Sequence, residues 1–357
     1  MFLLPRLRLG EVQLMDGGLP VLDRRLRGTG FLSQQVHSVL NSPESTGIGC
    51  WSLNPYVGCE FGCSYCYARF AHRYLLERAR DSGRISQEEF GELRGEHGFE
   101  GFERQIFVKE SSSVLAALER DLPRVLARYR RGERHPLLIG TATDPYQPAE
   151  RRFGVTRAVL ERLAQLPPLN LSLITKSPLV TRDAELLARL GRRHRLTVHV
   201  SLISTSRRLI RWFEARSPMP HARLRTLRKL TEAGVNAGLL VAPILPGITD
   251  REAHLRRVLG AANRHGARFA HPSPLRMYRA VRPVFLPVVG RQFPGLVSRY
   301  QAAYRRAENA PQAYTRALRA RFARLAAEVG LATDDRFGYQ SVPSHPEQLA
   351  LWEPARR

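Results

Sequence analysis

"NPYVGCEFGCSYCYAR", residues 54 to 69, holds three of the four cysteines in the chain. Cys59, Cys63 and Cys66 have the spacing C-x3-C-x2-C, with Gly58 and Gly62 beside them and Phe61, Tyr65 and Tyr67 between and after them. Four chemistries compete for such a run. Disulfides sit badly with an odd number of clustered cysteines. A structural zinc site takes paired C-x2-C units and two further ligands, so Cys50 or a histidine would have to complete it. A catalytic thiol needs one cysteine rather than three. A cluster in which three thiolates bind three irons, leaving a fourth iron open to a substrate or cofactor, accounts for all three. Glycine lets the loop wrap closely around an inorganic core, because it accepts positive φ and carries no side chain. The aromatic residues would shield such a core from water.

Composition sets the frame around that run. With 357 residues and 43% apolar content, the chain has material for a sizeable core. Lysine plus arginine outnumber aspartate plus glutamate by 56 to 32, a formal charge of +24. That balance suits a polyanionic partner, nucleic acid above all. Only Lys109, Lys176 and Lys229 are lysines, and an arginine skew of this kind also arises from codon bias. The start, "MFLLPRLRLG", has a four-residue apolar run and no secretory pattern. The longest apolar stretch, "AGLLVAPILPGI" (237–248), is too short to span a bilayer and holds two prolines. A cytoplasmic location without a membrane partner follows, and in a reducing compartment clustered cysteines are metal ligands or catalysts.

Downstream of the cysteines the pattern alternates. A helix is predicted from Ala68 to about Arg80, then a polar insert. Strands are predicted at 136–140, 170–175, 196–203, 235–245 and in "ARFAHPS". Helices are predicted at 155–166, 178–191, 219–234 and 250–266. Strand and helix recurring at roughly 30-residue intervals is the pattern of βαβ units and a parallel sheet. The expected fold is α/β, a partial parallel (β/α)6 TIM-like barrel with an extra N-terminal segment and C-terminal helices. The expected boundaries are an irregular lead-in at 1–48, a core at 49–275 and a helical extension at 276–357. In the extension, Tyr314, Leu318, Phe322, Leu325 and Val329 form one stripe suited to packing on the barrel.

The C-x3-C-x2-C spacing with Tyr65 before the last cysteine resembles the signature of the radical S-adenosylmethionine (radical SAM) superfamily. "SLNPYVGCEFGCSYCYAR" is similar to the version found in the branch around spore photoproduct lyase, whose bacterial relatives are called DNA-repair-photolyase-like. "GTATDPYQPAE" (140–150) and "LITKSPLVTRD" (173–183) resemble that branch at its second and third strands. The likeness runs from about Trp51 to Pro274. It implies a 4Fe–4S cluster on Cys59, Cys63 and Cys66, and S-adenosylmethionine bound to the open iron. One electron then cleaves the sulfonium, and a 5′-deoxyadenosyl radical abstracts hydrogen from a substrate. A reducing partner such as flavodoxin or ferredoxin is implied as well.

Carried over position by position, the resemblance puts Tyr65 near the adenine. Thr143 and Asp144 fall at the methionyl amino group, and Lys176 at the methionyl carboxylate. Ser201 falls at the carboxylate or ribose, and Pro243 in the adenine wall. Asp144 precedes Pro145, and Asp-Pro also simply opens a turn. Cys50 reads as a small, partly buried apolar residue. One departure matters. Spore photoproduct lyase resolves its product radical with a cysteine near the end of the second strand, where this chain has Thr141 and Ala142, and no cysteine follows Cys66. Tyr146 is the candidate hydrogen donor at that strand end, with packing as its other reading; Tyr65 and Tyr67 are nearby.

For the substrate, the arginine-rich runs "RYRRGER", "GRRHR", "SRRLIRWFEAR" and "RLRTLRK" point to a nucleic-acid base, with Trp212 and Phe213 able to stack on bases or to be buried on an amphipathic helix. A peptide or small molecule is the alternative within the same chemistry. A non-enzymatic metal-cluster protein that binds nucleic acid is the alternative outside it.

Overall fold

The structure, a computed structural model, describes residues 21–24, 29–46, 48–94 and 100–333. The opening "MFLLPRLRLG" and the last residues of the C-terminal extension lie outside these.

The strands are β1 (Val21–Arg24), β2 (Gly30–Gln34), β3 (Leu40–Asn41), β4 (Trp51–Leu53), β5 (Tyr56–Val57), β6 (Gln105–Lys109), β7 (Leu137–Ile139), β8 (Asn170–Thr175), β9 (Arg195–Ser201), β10 (Ala237–Ile244) and β11 (Ala270–Pro274). The larger sheet has the order β11-β10-β9-β8-β7-β4-β3. Six of its strands, β4 and β7 to β11, run parallel, and β3 pairs antiparallel on the β4 edge. This is the partial (β/α)6 barrel. Its strands are buried on both faces, which is why "LLI" and "NLSLIT" read as near-continuous apolar runs rather than alternating ones.

The crossover helices are Val155–Leu163, Ala184–Arg193, Pro220–Glu232 and Glu252–Asn263. The turn Pro178–Asp183, expected as α-helix, is a 3-10 segment that feeds Ala184–Arg193, and that helix runs past Gly191 instead of stopping there. A long helix, Ser111–Arg130, escapes the apolar pattern. It buries Val114, Leu118 and Val125 on one face despite carrying Pro123 inside. It supplies the crossover into β7.

The segment expected to be an irregular lead-in is ordered over its described residues. β2 pairs in parallel with β6, and both belong to a second sheet of order β1-β2-β6-β5. Phe31 and Leu32 of β2 are buried, as are Ile106, Phe107 and Val108 of β6. Asp121, on the long helix, fixes the next turn by accepting from Val39 N at 2.8 Å, Leu40 N at 2.9 Å and Ser38 Oγ at 2.9 Å. The strand is short and apolar on both faces, so it gives no period-two signal.

At the other end, helices Arg282–Gln292, Val297–Ala303 and Gln312–Glu328 follow the barrel. Leu318, Phe322 and Leu325 are buried where the last of these meets helix Glu252–Asn263 and β11. Among the described residues, no helix is long and apolar enough to cross a membrane.

Candidate active site

The C-terminal ends of the parallel strands open onto one cavity of about 160 Å³, where barrels of this kind place their chemistry. Cys59, Cys63 and Cys66 line it, together with Tyr65, Tyr67, Thr143, Asp144, Lys176, Ser201 and Pro243. The three thiols come from the loop between β5 and helix Arg69–Asp81.

Two clamps hold that loop. The first is the stretch after β7. Thr143 Oγ1 donates to Gly58 O at 2.6 Å, and Gln147 Nε2 donates to Gly58 O at 3.2 Å and to Thr143 Oγ1 at 3.0 Å. Gln147 Oε1 accepts from Glu60 N at 2.9 Å, and Glu60 Oε1 accepts from Ala149 N at 2.7 Å. The second clamp is the turn after helix Arg207–Phe213. Ser64 N donates to Phe213 O at 2.8 Å, Arg216 N donates to Phe61 O at 3.2 Å, and Cys63 makes an isolated bridge with Glu214. Tyr65 donates its hydroxyl to Glu214, whose carboxylate is paired with Arg223, both side chains being fully buried. Ser217 Oγ donates to the same carboxylate at 2.7 Å.

Gly58 has φ +88°, and a Cβ there would come within 2.6 Å of Gln105 O and 2.8 Å of Phe102 O. Gly140, at the end of β7, has φ +93°, and a Cβ would meet Ile174 O at 2.7 Å. Both positions need glycine for conformation and for space.

Burial pushes the Cys63 thiol up to about 12, with Lys176 pulling the other way, and burial likewise raises Cys59 and Cys66. Burial presses the Lys176 ammonium down, but the Cys63 and Glu214 charges outweigh it and hold the group above the ordinary lysine value. Its Nζ stands 6.0 Å from the Tyr65 ring centroid. For Glu214 burial acts upward, yet Arg223 and Lys176 together keep it below the usual carboxylate range. The cavity wall therefore carries three soft thiols and a fixed ammonium.

Among the described residues, no three cysteine, histidine or acidic groups converge on a point as ligands of one metal ion do. Thiolates at different corners of a cubane stand farther apart than that. The donor set suits iron–sulfur chemistry: three sulfurs, no fourth, on the wall of a cavity whose other side offers a cation and hydroxyls.

Other positions read from the sequence resolve as follows. Asp144 reaches the cavity, but its carboxylate is engaged by its own chain: Oδ1 accepts from Tyr146 N at 2.9 Å and Thr175 Oγ1 at 2.7 Å, and Oδ2 from Lys176 N at 2.7 Å. It opens the Asp-Pro turn and sets where Lys176 leaves β8. Ser201 Oγ makes only a 3.4 Å contact with Ala242 O, so its hydroxyl is available to the cavity. Tyr146 is a correction. It does not line the cavity; it is fully buried and donates to Asp183 Oδ2 at 3.0 Å. Tyr65 and Tyr67 are the tyrosines that reach the site. Cys50 is buried away from the cavity, with its thiol pushed up to about 11 by burial.

Phe213 is not a base-stacking surface either. It is fully buried against Phe285 and Phe293, and Trp212 packs edge-on to Phe293 at 5.7 Å. Arg223, one of the "RLRTLRK" arginines, points inward to Glu214 rather than outward. Sequence reasoning missed Glu214, Arg223 and Gln147, because no spacing rule links them to a loop some 80 or 150 residues distant.

The carboxylate-binding role that the resemblance implies for Lys176 can be tested directly. Lys176→Met is expected to weaken S-adenosylmethionine binding about 30-fold by equilibrium dialysis of the iron-loaded protein, with iron per chain and melting unchanged. A dissociation constant within twofold of the parent would remove the lysine from the binding wall.

Residues 53–259 match the family model described as Radical SAM superfamily. An uncharacterized protein of Mycobacterium tuberculosis (strain ATCC 25618 / H37Rv) is 33% identical over 354 residues, covering 96% of this chain and 94% of the relative. A solved spore photoproduct lyase complexed with dinucleoside spore photoproduct superposes with a TM-score of 0.57 at 15% identity, covering 85% of this chain and 80% of that one. A variant of that enzyme with bound AdoMet and dinucleoside spore photoproduct gives 0.53 at 16% identity, covering 79% and 75%. At such identities the two superpositions establish the fold.

Proposed function

The chain belongs to the radical SAM superfamily, and on that premise we propose that it abstracts hydrogen from a nucleic-acid base. It is a radical SAM enzyme, and its cofactors are a 4Fe–4S cluster and S-adenosylmethionine. When bound, these supply a 5′-deoxyadenosyl radical through one-electron cleavage of the sulfonium.

The chain's own residues do the rest. Cys59, Cys63 and Cys66 would hold the cluster by three of its irons. Lys176 would supply a cation for the methionyl carboxylate, and Ser201 would offer it a hydroxyl. Thr143 and Asp144 would set the loop on the side of the amino group, and Tyr65 and Pro243 would bound the adenine. The observation that carries this reading is that the three thiols and Lys176 share the wall of one cavity at the strand ends. Enclosure keeps water from a reactive intermediate.

The formal charge of +24 supports a nucleic-acid substrate, as does the fold shared with a lyase solved on a dinucleoside lesion. A low-potential reductant of the flavodoxin or ferredoxin kind fits the cluster, and the cytoplasm fits both. The test is isotopic. The anaerobically reconstituted protein is given reductant, S-adenosylmethionine and deuterated DNA, RNA or peptide in turn. The 5′-deoxyadenosine formed is expected to acquire deuterium from a nucleic acid. Label arriving from peptide alone, or from none of the polymers, would overturn the substrate class while leaving the cofactor chemistry intact.

A further inference from the structure

Helix Arg69–Asp81 leaves the cysteine loop directly, and Ala68, the residue that caps it, lines the cavity. Phe70 and Tyr74, one helical turn apart, are 47% and 59% exposed, and among the described residues they are the large apolar side chains left in solvent. Phe70 contributes little to the core, yet it is not isolated. Its ring lies 6.5 Å from Tyr67 and 6.0 Å from Tyr278, and Tyr67 and Tyr278 are 5.9 Å apart. The three planes lie within 35° of one another. Tyr67 lines the cavity, Tyr278 is half-buried and Phe70 faces water, so the triangle leads from solvent to the reacting centre.

The second side of this triangle comes from the chain after β11. There Leu275 and Met277 are buried, Arg276 and Tyr278 are half-buried, and Leu275 and Arg276 line the cavity. Arg276 lines the cavity and Arg279 is exposed beside it. The patch joins a small aromatic floor to two arginines carried by the same stretch of chain as Tyr278. It is well suited to a flat heterocycle carried on a phosphodiester chain: aromatic rings accept any base face, and arginine pairs with phosphate.

We propose that the Tyr67–Phe70–Tyr278 triangle is a stacking platform that seats an unstacked nucleobase entering the cavity, with Arg276 and Arg279 at the neighbouring phosphates. The proposal rests on the nucleic-acid reading above and adds to it the surface that delivers the base. It also assigns work to Phe70, an exposed ring outside the core, and to Tyr278, whose ring packs half-buried at the core's edge.

The probe is a single-stranded DNA oligonucleotide with a central 2-aminopurine, titrated with the iron-loaded protein at low salt. The parent is expected to bind it and quench the 2-aminopurine emission. Phe70→Ala and Tyr278→Ala should each weaken binding about tenfold and restore the emission, while Phe70→Trp retains both properties. Iron content and thermal melting serve as the folding control, and Phe70→Ala, at the exposed member of the triangle, carries the test should Tyr278→Ala lower the melting. Binding and quenching unchanged in both alanine variants would overturn the platform and leave the nucleic-acid reading standing. No binding by the parent, even at low salt, would overturn both. If the alanine variants bind the oligonucleotide normally but are reduced slowly by an acidic flavoprotein, the platform is likewise overturned, and the patch is a docking face for protein.

Discussion

Replacing Cys63 with alanine is expected to all but abolish 5′-deoxyadenosine formation. The yield under reducing, anaerobic conditions is expected to fall at least about a hundredfold, since even residues that merely support a metal ligand cost ten- to a hundredfold when removed. Iron per chain falls with it. The fold should survive, because the change removes one buried sulfur at the edge of a core whose other members are untouched. Melting of the metal-free variant should match that of the metal-free parent within a few degrees. That contrast is informative. A structural zinc site would couple loss of the ligand to loss of the fold, whereas a site built for an exchangeable cofactor leaves the scaffold standing. Cys59→Ala and Cys66→Ala should behave in the same way, and Cys50→Ala should retain full yield. A Cys63 variant that still produced 5′-deoxyadenosine at the parent rate would end the ligand assignment.

The second large effect lies on the other side of the loop. Glu214 and Arg223 are both fully buried and paired, and the carboxylate also accepts from Tyr65 and from Ser217 at 2.7 Å. Truncating Glu214 to alanine leaves Arg223 charged, enclosed and without its counterion, a change that typically costs about 3–5 kcal/mol. The melting midpoint should fall by roughly 10 °C, and iron loading should fall too, because Tyr65 loses the carboxylate that anchors its hydroxyl. The double change Glu214→Leu with Arg223→Met should recover much of the melting loss, since an apolar pair of similar volume avoids the cost of burying charge. It should not recover iron loading, because Tyr65 stays unanchored. A single variant melting within a degree of the parent would show that the pair contributes nothing to stability.

These two regions also show what the sequence made legible. The barrel strands could be read because parallel strands buried on both faces are written as apolar runs, and "NLSLIT" and "LTVHVSLI" differ little from β8 and β9. The cysteine loop could be read because its ligands are close in sequence. The clamps around it could not, since Gln147 and Glu214 act across folds of the chain and look locally like any polar residue near a turn. Arg223 was hidden for a related reason: on the page it belongs to a basic run, and only the packing of helix Pro220–Glu232 turns it inward. Tyr146 does not line the cavity because position at a strand end does not fix direction; its hydroxyl is turned to Asp183 instead. Strand β2 was missed because five residues with three buried in succession carry no alternation.

The pairing of β2 with β6 has a practical corollary for anyone shortening this protein. A chain begun at residue 49, the margin that motif boundaries recommend, would keep β6 but strip away its neighbour, laying bare a row of unsatisfied amides and carbonyls beside Ile106, Phe107 and Val108. Such an edge recruits strands from other molecules. Insoluble material recovered from that minimal fragment would therefore reflect a missing partner strand, not an intrinsic failing of the catalytic half.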